Sequence, residues 1–286
     1  MSIIKKISTL LEMIQFKLTL FALPFALTGA FLASRGFPEF TTLCWVILAM
    51  VGARTSAMGF NRIIDYKFDK ENPRTATRAI PAGKVSLFEA WAMVAVASGI
   101  FFFACYNLNQ LTLILAPFAL GLTLFYSVTK RFTSFCHLVL GVALAFSPLG
   151  GWIAVRNSFV DYPFVLSIGV LFWVAGFDTI YGCLDAEFDK KKGLYSLPAK
   201  LGKKNAFRLA GFFHCLAFVL FTATGLSQGL NIFYYIGIVL TSGALLYQHI
   251  LVRPEDLSRI NASFFSMNGF ISITLFLATW LSLATL

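Results

Sequence analysis

Charge is scarce in this chain, and polar stretches long enough to form a soluble domain are missing. Of 286 residues only 13% are charged and 58% are hydrophobic, well outside the balance of a soluble protein. Histidine is nearly absent too. His137, His214 and His249 lie far apart along the sequence, which argues against a histidine-based metal centre. Cys44, Cys105, Cys136, Cys183 and Cys215 show no CxxC spacing. That excludes a disulfide framework or a zinc site, and leaves them as small apolar residues. A cleavable leader is also missing from the pattern: the first apolar stretch contains Lys17 and runs on to about residue 34 as one member of an array. Residues 1–286 are expected to form a single membrane-embedded unit.

What is there is a series of apolar segments of bilayer-spanning length. Nine helices are expected, at about 14–34, 41–66, 87–106, 110–128, 134–155, 163–184, 206–226, 231–251 and 264–284. The net charge of +10 would suggest nucleic acid in a soluble protein, but here the cations sit in short loops, where topology and anionic headgroups account for them. Lys5 and Lys6 precede the first segment. Lys67, Lys70, Arg74, Arg78 and Lys84 follow the second, and Lys130 and Arg131 the fourth. Lys190, Lys191, Lys192, Lys200, Lys203 and Lys204 follow the sixth, and Arg253 and Arg259 the eighth. The alternate loops carry only Arg35 and Arg156. The alternation places the N-terminus and the basic loops in the cytoplasm and the C-terminus outside. Pro24, Pro117 and Pro148 fall inside segments, where they are expected to bend helices and make room for a cavity. Gly141, Ala143, Ala145, Gly150 and Gly151 crowd the fifth segment and permit close helix approach.

Two acidic clusters stand out against this background. In NRIIDYKFD, Asn61, Asp65 and Asp69 recur every four residues, so on a continuous helix they drift by only about 40° per step along one face. Aligned acids repel unless a positive charge lies between them, and a hard divalent cation with oxygen ligands suits them. Arg74 and Arg78 follow and would neutralise a bridged anion. The alternative is a polar helix end with a solvated charge run. The second cluster weighs against that alternative: Asp178, Asp185 and Asp189, spaced i, i+7 and i+11, fall within about 20° of one another on a continuous helix. Lysines again follow. Both clusters end an even-numbered segment, so both belong on one side of the membrane. Together they describe a site for magnesium and a diphosphate, since Mg2+ binds few carboxylates and completes its shell with phosphate oxygens and water.

Arg54 lies seven residues before Asn61 on the same face, about 10 Å deeper in the bilayer. A charge there needs an anionic partner: a substrate carboxylate, Asp178 or Glu12. Tyr126 and Lys130, spaced i, i+4 in FYSVTKR, with Arg131 beside them, end the fourth segment on the same side. They suit a diphosphate, although a lysine at a segment end is often only a snorkelling anchor.

Over essentially its whole length the chain resembles the UbiA superfamily of intramembrane aromatic prenyltransferases. NRIIDYKFD matches the NxxxDxxxD motif, LDAEFD the second DxxxD, and YSVTK the YxxxK motif. RTATRAIPAGKVS and DTIYGCLD resemble the segments flanking the two acidic motifs. The resemblance implies an all-α integral membrane fold of nine transmembrane helices in a bundle, with a cytoplasmic cap and a central cavity open laterally to lipid. It implies that Asn61, Asp65, Asp69, Asp185 and Asp189 hold two Mg2+ ions and through them a polyprenyl diphosphate. Tyr126 and Lys130 would contact the diphosphate, helped by Arg74 and Arg78. ARTSAMGFNR and SFCHLVLG resemble the 4-hydroxybenzoate-type branch, especially bacterial members serving menaquinone synthesis by the futalosine route, and so imply the bacterial inner membrane. Cys136-His137 stands where many 4-hydroxybenzoate enzymes carry Pro-Gln, which leaves the aromatic acid open between 4-hydroxybenzoate and a dihydroxynaphthoate.

The expected reaction is ionisation of the allylic diphosphate, followed by attack of an electron-rich ring ortho to a phenolic oxygen. Arg54 or Arg131 would orient the acceptor carboxylate, and Asp178 or Asp185 would polarise the phenol. Homogentisate, haem or a chlorophyllide are alternative acceptors. A secondary transporter is the alternative from another class, but coupling acids in transporters lie near the bilayer midplane, whereas these lie at segment ends.

Overall fold

The computed structural model describes residues 3–15 and 19–286; Lys17 lies outside them. The described residues are helical throughout. Helix α1 (Ile3–Met13) is short and amphipathic, and α2 (Thr19–Ser34), α3 (Phe40–Glu71), α4 (Leu87–Leu108), α5 (Gln110–Thr129), α6 (Cys136–Arg156) and α7 (Phe164–Gly182) follow. Two short helices, α8 (Ala186–Lys192) and α9 (Leu197–Leu201), lead into α10 (Lys203–Gln228) and α11 (Ile232–Leu251). The last helix, α12, spans Ile260–Ala284 and contains a π-helical turn at Ser263–Met267. Among the described residues eight helices are long and apolar enough to cross a membrane. The ninth apolar helix, α2, has 16 residues, a rise of about 24 Å. The chain is an integral membrane protein.

Two expected boundaries shift. The first segment does not begin at residue 14, because Ile14 and Gln15 form a turn after α1. Their apolar neighbours Leu10 and Met13 pack, with Ile14, on Ile63, Ile80, Val85 and Val94. Hydropathy ran the apolar turn after α1 into α2. The second segment, expected to end at 66, continues to Glu71. The polar residues that lower its hydropathy there keep their helical hydrogen bonds and find partners among other loops.

The ends of the helices confirm the loop alternation. Arg35, after α2, donates to the carbonyl of Gln228 at the end of α10 (2.7 Å), and Arg156, ending α6, donates to Ala33 O (2.6 Å). At the other end, Arg74 pairs with Asp185, Lys130 with Asp189, Lys192 with Glu71, and Lys6 with Glu89. The last four pairs define a basic end of the bundle.

Helices α2, α6, α7 and α10 enclose a buried core around Phe25, Trp152, Trp173 and Phe221. Small residues let the backbones touch. A Cβ on Gly29 would fall 1.9 Å from Pro148 O, and one on Gly151 would fall 1.9 Å from Ala26 O. Gly141 likewise faces Leu171 O on α7. Helices α2, α5 and α6 remain continuous through Pro24, Pro117 and Pro148. Between α2–α7 and the basic end lies a cavity of about 600 Å³.

Candidate functional site

The cavity runs from Asp65, Asp69, Asp185 and Asp189 at the basic end to Leu108, Thr112, Ile153 and Phe159 near the opposite end. Along α5, from Thr112 to Lys130, that is a rise of about 27 Å. Most of its wall is apolar, and its charged groups concentrate at one mouth.

Helix α3 carries Asn61, Asp65 and Asp69 on one face, as their spacing requires. The amide of Asn61 donates to Asp65 Oδ2 (3.0 Å), and the guanidinium of Arg62 steadies Asn61 Oδ1 (3.3 Å) while its Nε binds Met13 O (3.1 Å). The expected repulsion between aligned acids is relieved by cations from elsewhere. Arg78 reaches both oxygens of Asp69 (2.7 and 2.8 Å), and Arg131 lies 3.4 Å from Asp65 Oδ1 while binding Ile64 O at 2.9 Å.

The second cluster is built differently from expectation. Asp178, Asp185 and Asp189 do not share one helical face, because α7 stops at Gly182 and a turn over Cys183–Asp185 intervenes. Asp185 then sits at the N-terminus of α8, and Asp189 one turn into it. The break turns Asp185 toward the first cluster. Arg74 grips it through Nε (2.9 Å) and Nη2 (2.5 Å), and Asn72 Nδ2 donates to the same carboxylate at 2.9 Å. Lys130 Nζ lies 3.2 Å from Asp189 Oδ1 and 2.9 Å from Oδ2, the latter contact out of line for a hydrogen bond. Residues more than 100 positions apart thus meet at one mouth.

Charge pairing sets the protonation of these groups. Burial pushes the Asp185 carboxyl up, but the hydrogen bond and charge of Arg74 outweigh it, leaving Asp185 below the usual carboxylate range. Burial likewise disfavours charge on Lys130, and the carboxylates of Asp189 and Asp185 reverse this, so its ammonium is held more tightly than usual. Because Asp185 is lowered on folding, its contribution to stability is complete above its ordinary value of 3.8 and disappears as pH falls through the folded value. In the presence of chelator, the melting temperature of the wild type should therefore drop more steeply than that of Asp185→Asn between about pH 5 and about pH 3. Parallel curves would show that the Arg74 pair does not stabilise the fold.

Deeper in the cavity stands a different group. Asp178 pairs with His137, Oδ2 to Nδ1 at 2.6 Å. Arg54 also lines the cavity, and its buried Nε has no hydrogen-bond partner. Neither protein partner considered for Arg54 is paired with it: Asp178 pairs through Oδ2 with His137, and Glu12 accepts from Ser8 (3.3 Å) on the exposed side of α1. Tyr126 lines the cavity alongside Lys130. Arg131 is tied to α3, whereas among the described residues Arg54 Nε has no hydrogen-bond partner.

Asn72, Arg62 and His137 were not singled out by motif spacing. Asn72 precedes Pro73 in a turn, where an amide is common, and nothing local marks it as a partner of Asp185. His137 is legible as a polar residue at the start of an apolar helix, at the Cys136-His137 departure from Pro-Gln, but nothing in the sequence marks Asp178 as its partner.

A divalent cation fits the donor chemistry at the mouth. The four aspartates and Asn61 offer only oxygen, the ligand set of a hard ion. Among the described residues no three His, Cys, Asp or Glu side chains gather closely enough to hold a metal by themselves.

Known proteins resemble the chain over most of its length. A 4-hydroxybenzoate octaprenyltransferase of Francisella tularensis subsp. mediasiatica is 31% identical over 88% of this chain and 88% of its own. One from Nitrosospira multiformis is 33% identical over 87% and 86%. The structure of a UbiA homolog from Aeropyrum pernix K1 superposes with a TM-score of 0.84 at 35% identity, covering 91% of this chain and 96% of that one. A UbiA homolog from Archaeoglobus fulgidus bound to GPP and Mg2+ shares the fold, with a TM-score of 0.72 at 18% identity over 95% and 99% of the two chains. The sequence profile of the UbiA prenyltransferase family matches residues 22–280, and the chain belongs to that family.

Proposed function

We propose that the protein transfers a polyprenyl group from polyprenyl diphosphate to an aromatic acid, 4-hydroxybenzoate or a related dihydroxynaphthoate, in respiratory quinone synthesis. The observation that carries this reading is the meeting of Asp65 and Asp69 with Asp185 and Asp189 at the mouth of a long apolar cavity. The names of the Francisella and Nitrosospira relatives support the acceptor class. The basic loops around the mouth support a cytoplasm-facing site, and the relatives' bacterial origin supports the inner membrane.

Asn61, Asp65, Asp69, Asp185 and Asp189 would hold Mg2+, as the GPP- and Mg2+-bound Archaeoglobus homolog suggests. Bound there, the metal would supply charge stabilisation for the departing diphosphate. Arg74, Arg78 and Lys130, now on aspartates, are placed to turn to phosphate oxygens, with Tyr126 beside them. Arg54 would take the acceptor's carboxylate, satisfying its buried Nε. The free Oδ1 of Asp178 would accept from the phenolic hydroxyl, enriching the ring. The allylic C–O bond breaks with its electron pair leaving on diphosphate. The ring carbon ortho to the hydroxyl bonds to the allylic carbon and loses its proton, which departs with the diphosphate. The apolar walls keep water from the allylic cation.

A panel of aromatic acids, assayed with purified protein, polyprenyl diphosphate and Mg2+, tests the reading by product mass spectrometry. C-prenylated 4-hydroxybenzoate or dihydroxynaphthoate is expected, and excess chelator should remove it. Product with homogentisate, haem or a chlorophyllide alone would reassign the acceptor. Equal turnover with and without chelator would reject the metal site.

A further inference from the structure

The His137–Asp178 pair is not needed to bind metal or diphosphate, yet it is the most deeply buried ionisable pair facing the cavity. The His137 side chain is 2% exposed and that of Asp178 16%. Nδ1 lies 2.6 Å from Asp178 Oδ2. The ring edge bearing Nε2 is buried without a hydrogen-bond partner. An imidazole that donates from Nδ1 to a carboxylate and leaves a bare lone pair on Nε2 avoids an orphaned N–H. As a carboxylate oxygen Asp178 Oδ2 accepts, so Nδ1 carries the proton between them.

The space for the ring comes from Gly182, the last residue of α7. A Cβ there would stand 2.9 Å from His137 Cε1 and 3.4 Å from Nε2. His137 opens α6, while Asp178 and Gly182 lie one turn apart on α7. The contact therefore locks the two helices in register beside the cavity. Among the described residues none hydrogen-bonds Asp178 Oδ1, and Asp178 lines the cavity together with Arg54 and Tyr126.

We infer that His137 is a positioning residue for the aromatic acceptor: it clamps one oxygen of Asp178 so that the other is presented to the acceptor's hydroxyl. The inference rests on the proposed transfer to a phenolic acid. A carboxylate free to rotate about its side-chain bonds would meet the hydroxyl in many geometries, and misplacement of about 1 Å can cost about 10²-fold in rate. The prenyl diphosphate, held at the mouth by Arg74, Arg78 and Lys130, does not depend on this clamp.

The test compares wild type, His137→Ala, His137→Asn and Gly182→Ala by varying each substrate in turn. In His137→Ala, kcat/KM for the aromatic acid should fall by about 10²-fold, with KM for the prenyl diphosphate within about twofold of wild type. His137→Asn sets an amide nitrogen where Nδ1 stands and should recover most of the loss. Gly182→Ala pushes the ring off Asp178 and should reproduce the acceptor defect with His137 intact. A KM for prenyl diphosphate raised as far as that for the acid, no rescue by asparagine, or an unchanged acceptor constant in His137→Ala would overturn the inference while leaving the transferase reading in place. A wild type that prenylates no phenolic acid would defeat that reading, and the positioning role with it.

Discussion

Alanine at Asp65 or Asp185 is expected to lower prenyl transfer by about 10³-fold or more while the bundle remains folded. The two acids come from opposite halves of the sequence and serve one mouth, so each is needed to gather cationic charge against the diphosphate. Stability should change far less. Asp65 is 28% exposed and lies 3.4 Å from Arg131, while Asp185 is 14% and its Arg74 partner 30% exposed, so both pairs reach solvent through their cations. Ion pairs open to solvent contribute about 1 kcal/mol or less. Diphosphate release and thermal unfolding, measured on the same purified variants, separate the two effects. Near-wild-type turnover in either variant would sink the proposed site, whereas joint loss of activity and fold would mark these residues as structural.

The second large effect concerns stability. Gly151→Val should destabilise the protein by about 3 kcal/mol or more, because its first side-chain carbon would land 1.9 Å from Ala26 O and 2.8 Å from Ala26 C. Both are backbone atoms of α2, so no rotamer change relieves the overlap. The helices must separate, loosening the packing around Phe25 and Trp152. Gly150→Val is the control, since an added Cβ at that neighbouring position meets nothing within 4 Å. Detergent-solubilised Gly150→Val should melt near wild type, and Gly151→Val far below it. Similar melting of the two variants would show that close backbone approach between α2 and α6 is not what holds them together.

Much of the architecture could be read from residues because a bilayer permits few solutions. Apolar length located nearly every helix, and the loop cations oriented them. The first boundary failed where an amphipathic helix precedes an apolar one, since hydropathy runs on through the apolar turn after α1. The acids of α3 were legible because four-residue spacing survives in a continuous helix. Those of the second cluster were found for the right reason of proximity but with the wrong geometry. Helical periodicity carries no warning that α7 stops at Gly182, and the turn that follows is what sends Asp185 across to Arg74 and Asn72. The pairing of His137 with Asp178 depends on how α6 crosses α7, a tertiary relation with no local signature.

The ion pairs at the mouth have a consequence for loading. Each aspartate there already has an arginine or lysine beside it, so the vestibule is electrically balanced before any ligand arrives. On the proposed reading, an incoming anionic headgroup with its cations exchanges partners with these pairs: the metal goes to carboxylate, and guanidinium and ammonium go to phosphate. Such a swap carries little net charge into a weakly polar interior, where uncompensated charge is costly. The protein thereby keeps four acids at the edge of a hydrocarbon layer in either state.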